Sequence, residues 1–211
     1  MVRLGLLYYG YRSECESMVK GFAGAQFKKF RTFAEAERFC RSTECKTPAK
    51  QPTLIAPTSD RPHVFTDGAC IGPSDNRQAG YGVYWGPGHP RNLSKRLGGE
   101  QTNNRAEIEA AIAAAKQAKS EGLSRIAIVT DSKFTQMCAT EWGPVWEKNG
   151  WKLADGKPVK LHEPVRRLLK YTRDSGVDVE WLYVPGHSGV EGNEAADRLA
   201  NEGAKKPRYT E

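Results

Sequence analysis

Arg125-Ile126-Ala127-Ile128-Val129-Thr130-Asp131-Ser132 is the stretch on which the fold turns. Its unbroken apolar character leaves no polar face, so the strand must be covered on both sides. It ends on an acid, Asp131. Upstream lie three further strand runs, at 63–69, 80–85 and 92–97, joined by fairly short Gly/Pro-rich turns. That spacing predicts an antiparallel meander. Between the meander and the apolar strand, Asn103 is expected to cap a helix with Ile108, Ala111, Ile112 and Ala115 on one face. Downstream, Phe134, Met137 and Cys138 fit a short helix. A helix over 163–173, an alternating strand over 177–184 and a last helix over 193–204 complete the series. A meander followed by β-α-β-α units predicts an α/β fold: a mixed five-stranded sheet with helices on both faces.

Working outward, residues 43–61 carry Pro48, Pro52 and Pro57 without hydrophobic periodicity. They read as a linker, spanning roughly 20–25 Å as a flexible coil. Four regions follow: a small N-terminal α+β module over 1–42, the linker, a main domain over 62–205, and a tail over 206–211. In the module Phe27 and Phe30 bracket Lys28 and Lys29, which would hold two ammonium groups outward. Thr32, with Glu35 three residues on, has the spacing of a capping box.

The 211 residues carry a formal charge of +7 and a pI of about 9.2, a balance that suits a polyanionic partner. Cysteines at 15, 40, 45, 70 and 138 have neither disulfide-framework nor zinc-site spacing. Reduced thiols and an intracellular protein are expected. Residues 2–9 are apolar but short, acids follow at Glu14 and Glu16, and neither a secretory signal nor a mitochondrial transit peptide is expected. No run reaches the roughly 18 apolar residues of a membrane span.

Four acids stand at edges of these elements: Asp67 before Gly68, Glu107 in the first turns of its helix, Asp131 at the end of the apolar strand, and Asp197 in the last helix. Carboxylates that converge raise one another's pKa unless cations bind. Two Mg²⁺ ions about 4 Å apart would resolve the repulsion and suit in-line displacement at phosphorus. His187 lies between Gly186 and Gly189, on a loop that can carry an imidazole in and out as a proton carrier. Trp142, Trp146 and Trp151, interleaved with Lys148 and Lys152, either form a satellite hydrophobic cluster or meet nucleic acid.

Together these residues carry a resemblance. Thr66-Asp67-Gly68, Tyr81 to Gly88, Gln101-Thr102-Asn103-Asn104-Arg105-Ala106-Glu107, Thr130-Asp131-Ser132, Val184 to Gly189 and Gly192 to Ala200 make residues 62–205 similar to a eukaryotic-type type 1 ribonuclease H catalytic domain. The resemblance implies endonucleolytic hydrolysis of the RNA strand of RNA–DNA hybrids, leaving 5′-phosphate and 3′-hydroxyl ends. RNA primers and R-loops would be its targets. It implies metal binding by Asp67, Glu107, Asp131 and Asp197, with Mg²⁺ or, in its place, Mn²⁺, and a proton relay at His187. It assigns Asn103 and Asn104 to strand recognition in the minor groove, where 2′-hydroxyls distinguish RNA, and Thr102 to the pocket that grips a DNA phosphate. Phe134 and Trp142 would form a channel for the DNA strand. Trp146, Lys148, Trp151 and Lys152 would form a basic protrusion.

The module over 1–42 resembles the hybrid-binding domain of the same proteins through Glu14-Cys15, Gly21-Phe22, Gly24-Ala25 and Phe27 to Phe30, with Lys28 and Lys29 on backbone phosphates. It lacks that domain's opening strand and the tryptophan before Glu-Cys, so it reads as truncated. Two further departures are Glu100, where a basic residue usually precedes Gln-Thr-Asn, and Leu161, where an asparagine is expected. Both imply a weaker DNA-phosphate pocket. A monomer acting in nucleus or cytoplasm, with the mitochondrion as a further compartment, completes the expectation. The competing readings are a non-catalytic hybrid-binding protein of the same fold and a DNA nuclease such as a transposase or junction resolvase. The complete acid set argues against the first, and Asn103-Asn104 against the second.

Overall fold

The structure, a computed structural model, describes residues 61–207. The module over 1–42, with Lys28 and Lys29, lies outside the described residues, as does the linker apart from its last residue. The chain divides into two compact units, one of which is Leu54–Trp151 with Val159–Glu211. The short hairpin Lys152–Pro158 falls outside that unit. Within it the described strands are β1 (His63–Ile71), β2 (Gln78–Tyr84), β3 (Leu93–Arg96), β4 (Arg125–Thr130) and β5 (Asp178–Tyr183). They form one sheet in the order β3-β2-β1-β4-β5. The first three pair antiparallel, while β1 pairs with β4 and β4 with β5 in parallel. This is the mixed five-stranded sheet that the apolar strand and the meander predict.

The helices are α1 (Asn103–Ser120), α2 (Lys133–Met137), α3 (Gly143–Lys148), α4 (His162–Thr172) and α5 (Glu191–Lys205). They cover both faces. On one, a Cβ at Gly68 would stand 2.3 Å from the Glu107 nitrogen, so α1 lies against β1. On the other, a Cβ at Gly82 would stand 2.3 Å from the Ala196 carbonyl oxygen, so α5 lies on β2. Ile126, Ala127 and Ile128 of β4 are fully buried between these layers, with Ile108, Ile112, Leu168 and Ala196 also in the core.

The parallel register sets up the site. Phe65 pairs with Val129. Two residues beyond this pair, Asp67 lies within β1 and Asp131 just past the end of β4, so the parallel strands carry both toward the same end of the sheet.

Two local features differ from expectation. Thr102, not Asn103, caps α1: its hydroxyl accepts from the Arg105 N–H at 3.4 Å. The tryptophan-rich stretch is helical, α2 passing through a π turn (Cys138–Trp142) into α3. The Gly143 N–H bonds the carbonyl of Cys138, five residues back. The small Gly143 and Pro144, which has no N–H to offer, let the helical ladder widen there.

Candidate active site

The four acids reach one region from four elements. Asp67 sits in β1 and is 7% exposed, with the Gly68 N–H donating to its Oδ1 at 2.7 Å. Glu107 lies in the second turn of α1, Asp131 just beyond β4, and Asp197 in the middle of α5. Their mutual effect is visible in their acidities. Burial is the largest cause pushing Asp67 up to about 9, and the charges of Asp131, Glu107 and Asp197 add to it. Glu107 is pushed up to about 8, chiefly by burial, with Asp131 adding. Asp131 is also raised, by burial first and then by Asp197, against the lowering effects of Asn193 and His187.

Neighbours orient three of these carboxylates. Asn103 donates its Nδ2–H to Glu107 Oε1 at 2.7 Å, and the Ser132 hydroxyl donates to Glu107 Oε2. Asn193, 2% exposed, donates to Asp131 Oδ2 at 3.0 Å. Asn201 donates to Asp197 Oδ1 at 2.9 Å. Sequence reasoning did not assign Ser132 or Asn193 to the site. Their motifs signal a helix cap and a helix start, and only the tertiary fold turns them toward Glu107 and Asp131.

Four carboxylates are the oxygen donors that hard divalent cations take, and a cation offsets the burial and repulsion that raise Asp67, Glu107 and Asp131. By donor chemistry the set fits such ions. The side chains, however, are turned toward the hydrogen bonds just described. Among the described residues, no three His, Cys, Asp or Glu side chains present the geometry to hold one metal ion. Each of these carboxylates has about four acceptor sites on its two oxygens, so it can keep its hydrogen bonds and still turn a free lone pair to an ion.

His187 is exposed and left-handed, with φ 51°, an uncommon conformation for a non-glycine residue. Its charge favours ionised Asp131, which places the imidazole near that carboxylate. The neighbouring Gly186 leaves room for this, since a Cβ there would stand 2.7 Å from Asp131 Oδ2.

The remaining predicted residues fall into two groups. Thr102 serves as the α1 cap, Asn103 is exposed beside Glu107, and Asn104 is half-buried. Phe134 is 8% exposed and meets Trp142 edge-on at 5.9 Å, so it supports the half-buried Trp142 more than it offers a face of its own. Trp146 continues the row at 6.0 Å from Trp142. Lys148 is exposed at the end of α3. Trp151, at φ 59°, packs 4.5 Å from His162 and points to a structural role as well. Lys152 belongs to the separate hairpin, where it bridges to Pro158.

Glu100 and Leu161 do come together, lining one cleft of about 170 Å³ with Arg105, Lys160, Glu163, Pro164 and Arg167. There Arg105 donates to the Glu100 carbonyl at 2.9 Å. Arg167 is taken up by a bidentate pair with Glu109.

Residues 60–205 match the RNase H family, and residues 8–40 match the Ribonuclease H1 N-terminal domain. The chain is similar to mouse (Mus musculus) Ribonuclease H1, with 39% identity over 241 aligned positions covering 92% of this chain and 84% of the mouse protein. Its identity to human (Homo sapiens) Ribonuclease H1 is 51% over 144 residues, 68% of this chain and 50% of the human protein. The solution structure of the PFV RNase H domain aligns with a TM-score of 0.54 at 25% identity, covering 67% of this chain and 93% of that domain. With its sheet order, its acid-bearing elements and both matched regions in agreement, the chain belongs to the type 1 ribonuclease H family.

Proposed function

We propose that this protein is an endoribonuclease that hydrolyses the RNA strand of RNA–DNA hybrids, leaving 5′-phosphate and 3′-hydroxyl ends. The observation that carries this reading is the set of four carboxylates, from β1, α1, the end of β4 and α5, close enough that burial and neighbouring charges raise Asp67, Glu107 and Asp131, with Asp197 acting on Asp67 and Asp131. Family membership and the relatives' name, Ribonuclease H1, support the same activity.

Asp67, Glu107, Asp131 and Asp197 would hold divalent cations, Mg²⁺ first and Mn²⁺ as a substitute. When bound, such ions supply Lewis-acid charge at the phosphate and a more acidic water. The chain's own residues do the rest. Ser132 and Asn103 orient Glu107, and Asn193 orients Asp131. His187, exposed beside Asp131, carries a proton at its imidazole. Asn103 and Asn104 at the start of α1 would read the hybrid's minor groove, where the 2′-hydroxyls lie, and Thr102 would meet a DNA phosphate. Trp142, Trp146, Lys148, Trp151 and Lys152 would meet the DNA strand, and Lys28 and Lys29 of the module over 1–42 its phosphates. RNA primers and R-loop RNA are the natural hybrids for such an activity, in nucleus, cytoplasm or mitochondrion, with the protein acting as a monomer.

One gel assay tests the reading. Labelled RNA–DNA hybrid, RNA duplex, DNA duplex and single strands are incubated with and without Mg²⁺. Cleavage confined to the RNA of the hybrid, and dependent on the ion, is expected. Asp131→Asn should abolish cleavage and leave hybrid binding nearly intact, since it removes one site charge and no basic surface. Hybrid binding without any cleavage by the wild type would instead identify a non-catalytic binding protein.

A further inference from the structure

Helices α1 and α4 meet along one seam, and their charged residues are treated unequally. Apart from Glu107, the acids on and just beyond these helices are each taken by an arginine. Glu109 of α1 holds Arg167 of α4 through two bonds, at 2.6 and 3.2 Å. Glu163 holds Arg166 at 3.0 Å, one turn further along α4. Glu121, the residue that ends α1, pairs with Arg91, and Asp174, just past α4, pairs with Arg173 at 2.6 Å. The planar fork of a guanidinium suits a carboxylate better than an ammonium does.

Lys116 and Lys170 have no such partner. Lys116 lies two turns beyond Glu109 on the same face of α1, and Lys170 lies in the last turn of α4. Both are exposed. Their ammonium groups share one ring, that of the half-buried Tyr171, at 4.6 Å for Lys116 and 5.8 Å for Lys170. Among the described residues neither makes an ion pair. The ring attracts both cations and neutralises neither, so two like charges are gathered with no anion between them.

This pair faces away from the carboxylate cluster. Lys116 is nine residues past Glu107, which puts it half a turn round α1 and about 13 Å along it. A duplex seated on the acids is held on the other side of that helix. The Tyr171 ring, with ammonium groups over it, offers no free face for a base to stack on.

We propose that Lys116, Lys170 and Tyr171 form a docking surface for an acidic peptide segment of a partner protein, whose Asp or Glu side chains bridge the two ammonium groups. Charge complementarity identifies the occupant. The arginines of this surface are satisfied, and the unmet charge is that of two point cations on adjoining helices. A peptide docked here and a hybrid bound at the acids do not compete. The proposal does not rest on the ribonuclease reading.

The test uses the full chain and a fluorescein-labelled octapeptide of alternating Asp and Glu, followed by fluorescence anisotropy at 50 mM KCl. Binding that weakens with added salt is expected. Lys116→Met/Lys170→Met keeps the apolar stems on Tyr171 and should weaken peptide binding about fivefold or more. Lys116→Arg/Lys170→Arg should hold it within about twofold. Hybrid binding and cleavage by the methionine variant should equal those of the wild type. Independently of any variant, an NMR titration of the ¹⁵N-labelled wild type with the peptide should shift the amides of residues 113–119 and 167–173 and leave those of residues 65–69 and 130–133 in place.

No peptide binding by the wild type, or binding unchanged in the methionine variant, would overturn the proposal. So would amide shifts confined to the tryptophan-rich stretch. A methionine variant that binds hybrid more weakly and with a shallower salt dependence would make the patch a nucleic-acid contact and overturn it too. Cleavage of hybrid is read separately, in the gel assay above, and stands or falls on its own.

Discussion

Asp67 shows how a buried acid ties stability to chemistry. In the unfolded chain Asp67 and Glu107 titrate near their ordinary values of 3.8 and 4.5; in the fold they are pushed up to about 9 and about 8. Between those limits the folded protein holds protons that the unfolded chain has released, so stability falls as pH rises. Without divalent ions, the melting temperature should therefore decline from about pH 4 toward pH 9. Asp67→Asn removes the need to take up a proton on folding and should raise the melting temperature of the ion-free protein at pH 8 by a few degrees, at roughly 2–4 °C per kcal/mol, while cleavage is lost. A melting temperature that is flat with pH and unmoved by this substitution would remove the electrostatic basis of the site. Ser132 is the complementary case. It accepts from the Thr135 N–H at 3.1 Å as the α2 cap and donates to Glu107. Ser132→Ala should cost about 1 kcal/mol as a lost cap and lower kcat about tenfold, while Ser132→Thr keeps both hydrogen bonds and most of the activity. Kinetics and thermal melts of the two variants decide it. The acids were legible in the sequence because each belongs to or directly follows a readable strand or helix, Asp67 in β1, Glu107 in α1, Asp131 just past β4 and Asp197 in α5. Ser132 and Asn193 were not, because their partners are 25 and 62 residues away along the chain.

Among the elements, β1 and α1 are the pair whose contact the site depends on. A Cβ at Gly68 would meet the backbone nitrogen of Glu107 at 2.3 Å and the Ala106 carbonyl carbon at 2.6 Å. Backbone cannot swing aside as a long side chain can, so Gly68→Ala must push α1 off the strand. We expect a loss of about 1–3 kcal/mol in urea unfolding, and a fall in cleavage larger than that stability loss explains, because Glu107 moves away from Asp67. Full activity in Gly68→Ala would mean that the two acids need not keep this spacing. The strands were legible because their hydrophobic patterns are unambiguous: the unbroken run of β4 and the alternation of β5 leave few alternatives. Helix starts were less so, since Thr102 and Asn103 are both good caps, and the structure uses one for the helix and frees the other for Glu107. The π turn at 138–142 could not be read, because one widened turn leaves too short a stretch to shift the apolar periodicity. Its consequence is functional geometry: it brings Trp142 next to both Phe134 and Trp146.

At the scale of the molecule, charge is divided unevenly along the chain. Residues 1–60 hold 10 basic and 6 acidic residues, a net +4, and residues 61–211 hold 22 and 19, a net +3. More than half of the excess positive charge thus precedes the catalytic domain, although every residue of the proposed chemistry follows it. If the module over 1–42 binds hybrid, a linker reaching roughly 20–25 Å keeps the catalytic domain near the same duplex after each cut and raises its effective concentration there. Removing residues 1–60 should then weaken hybrid binding at low salt, flatten its salt dependence and shorten runs of successive cuts. The maximal rate at saturating substrate should stay within about twofold, since no acid, Ser132, Asn193 or His187 is touched. Single-turnover rates, salt titrations and product-length distributions of the full chain and of residues 61–211 separate the two contributions. Identical salt slopes and product lengths would mean that the module over 1–42 has no grip on hybrid, and that the +3 of the catalytic domain alone holds the substrate.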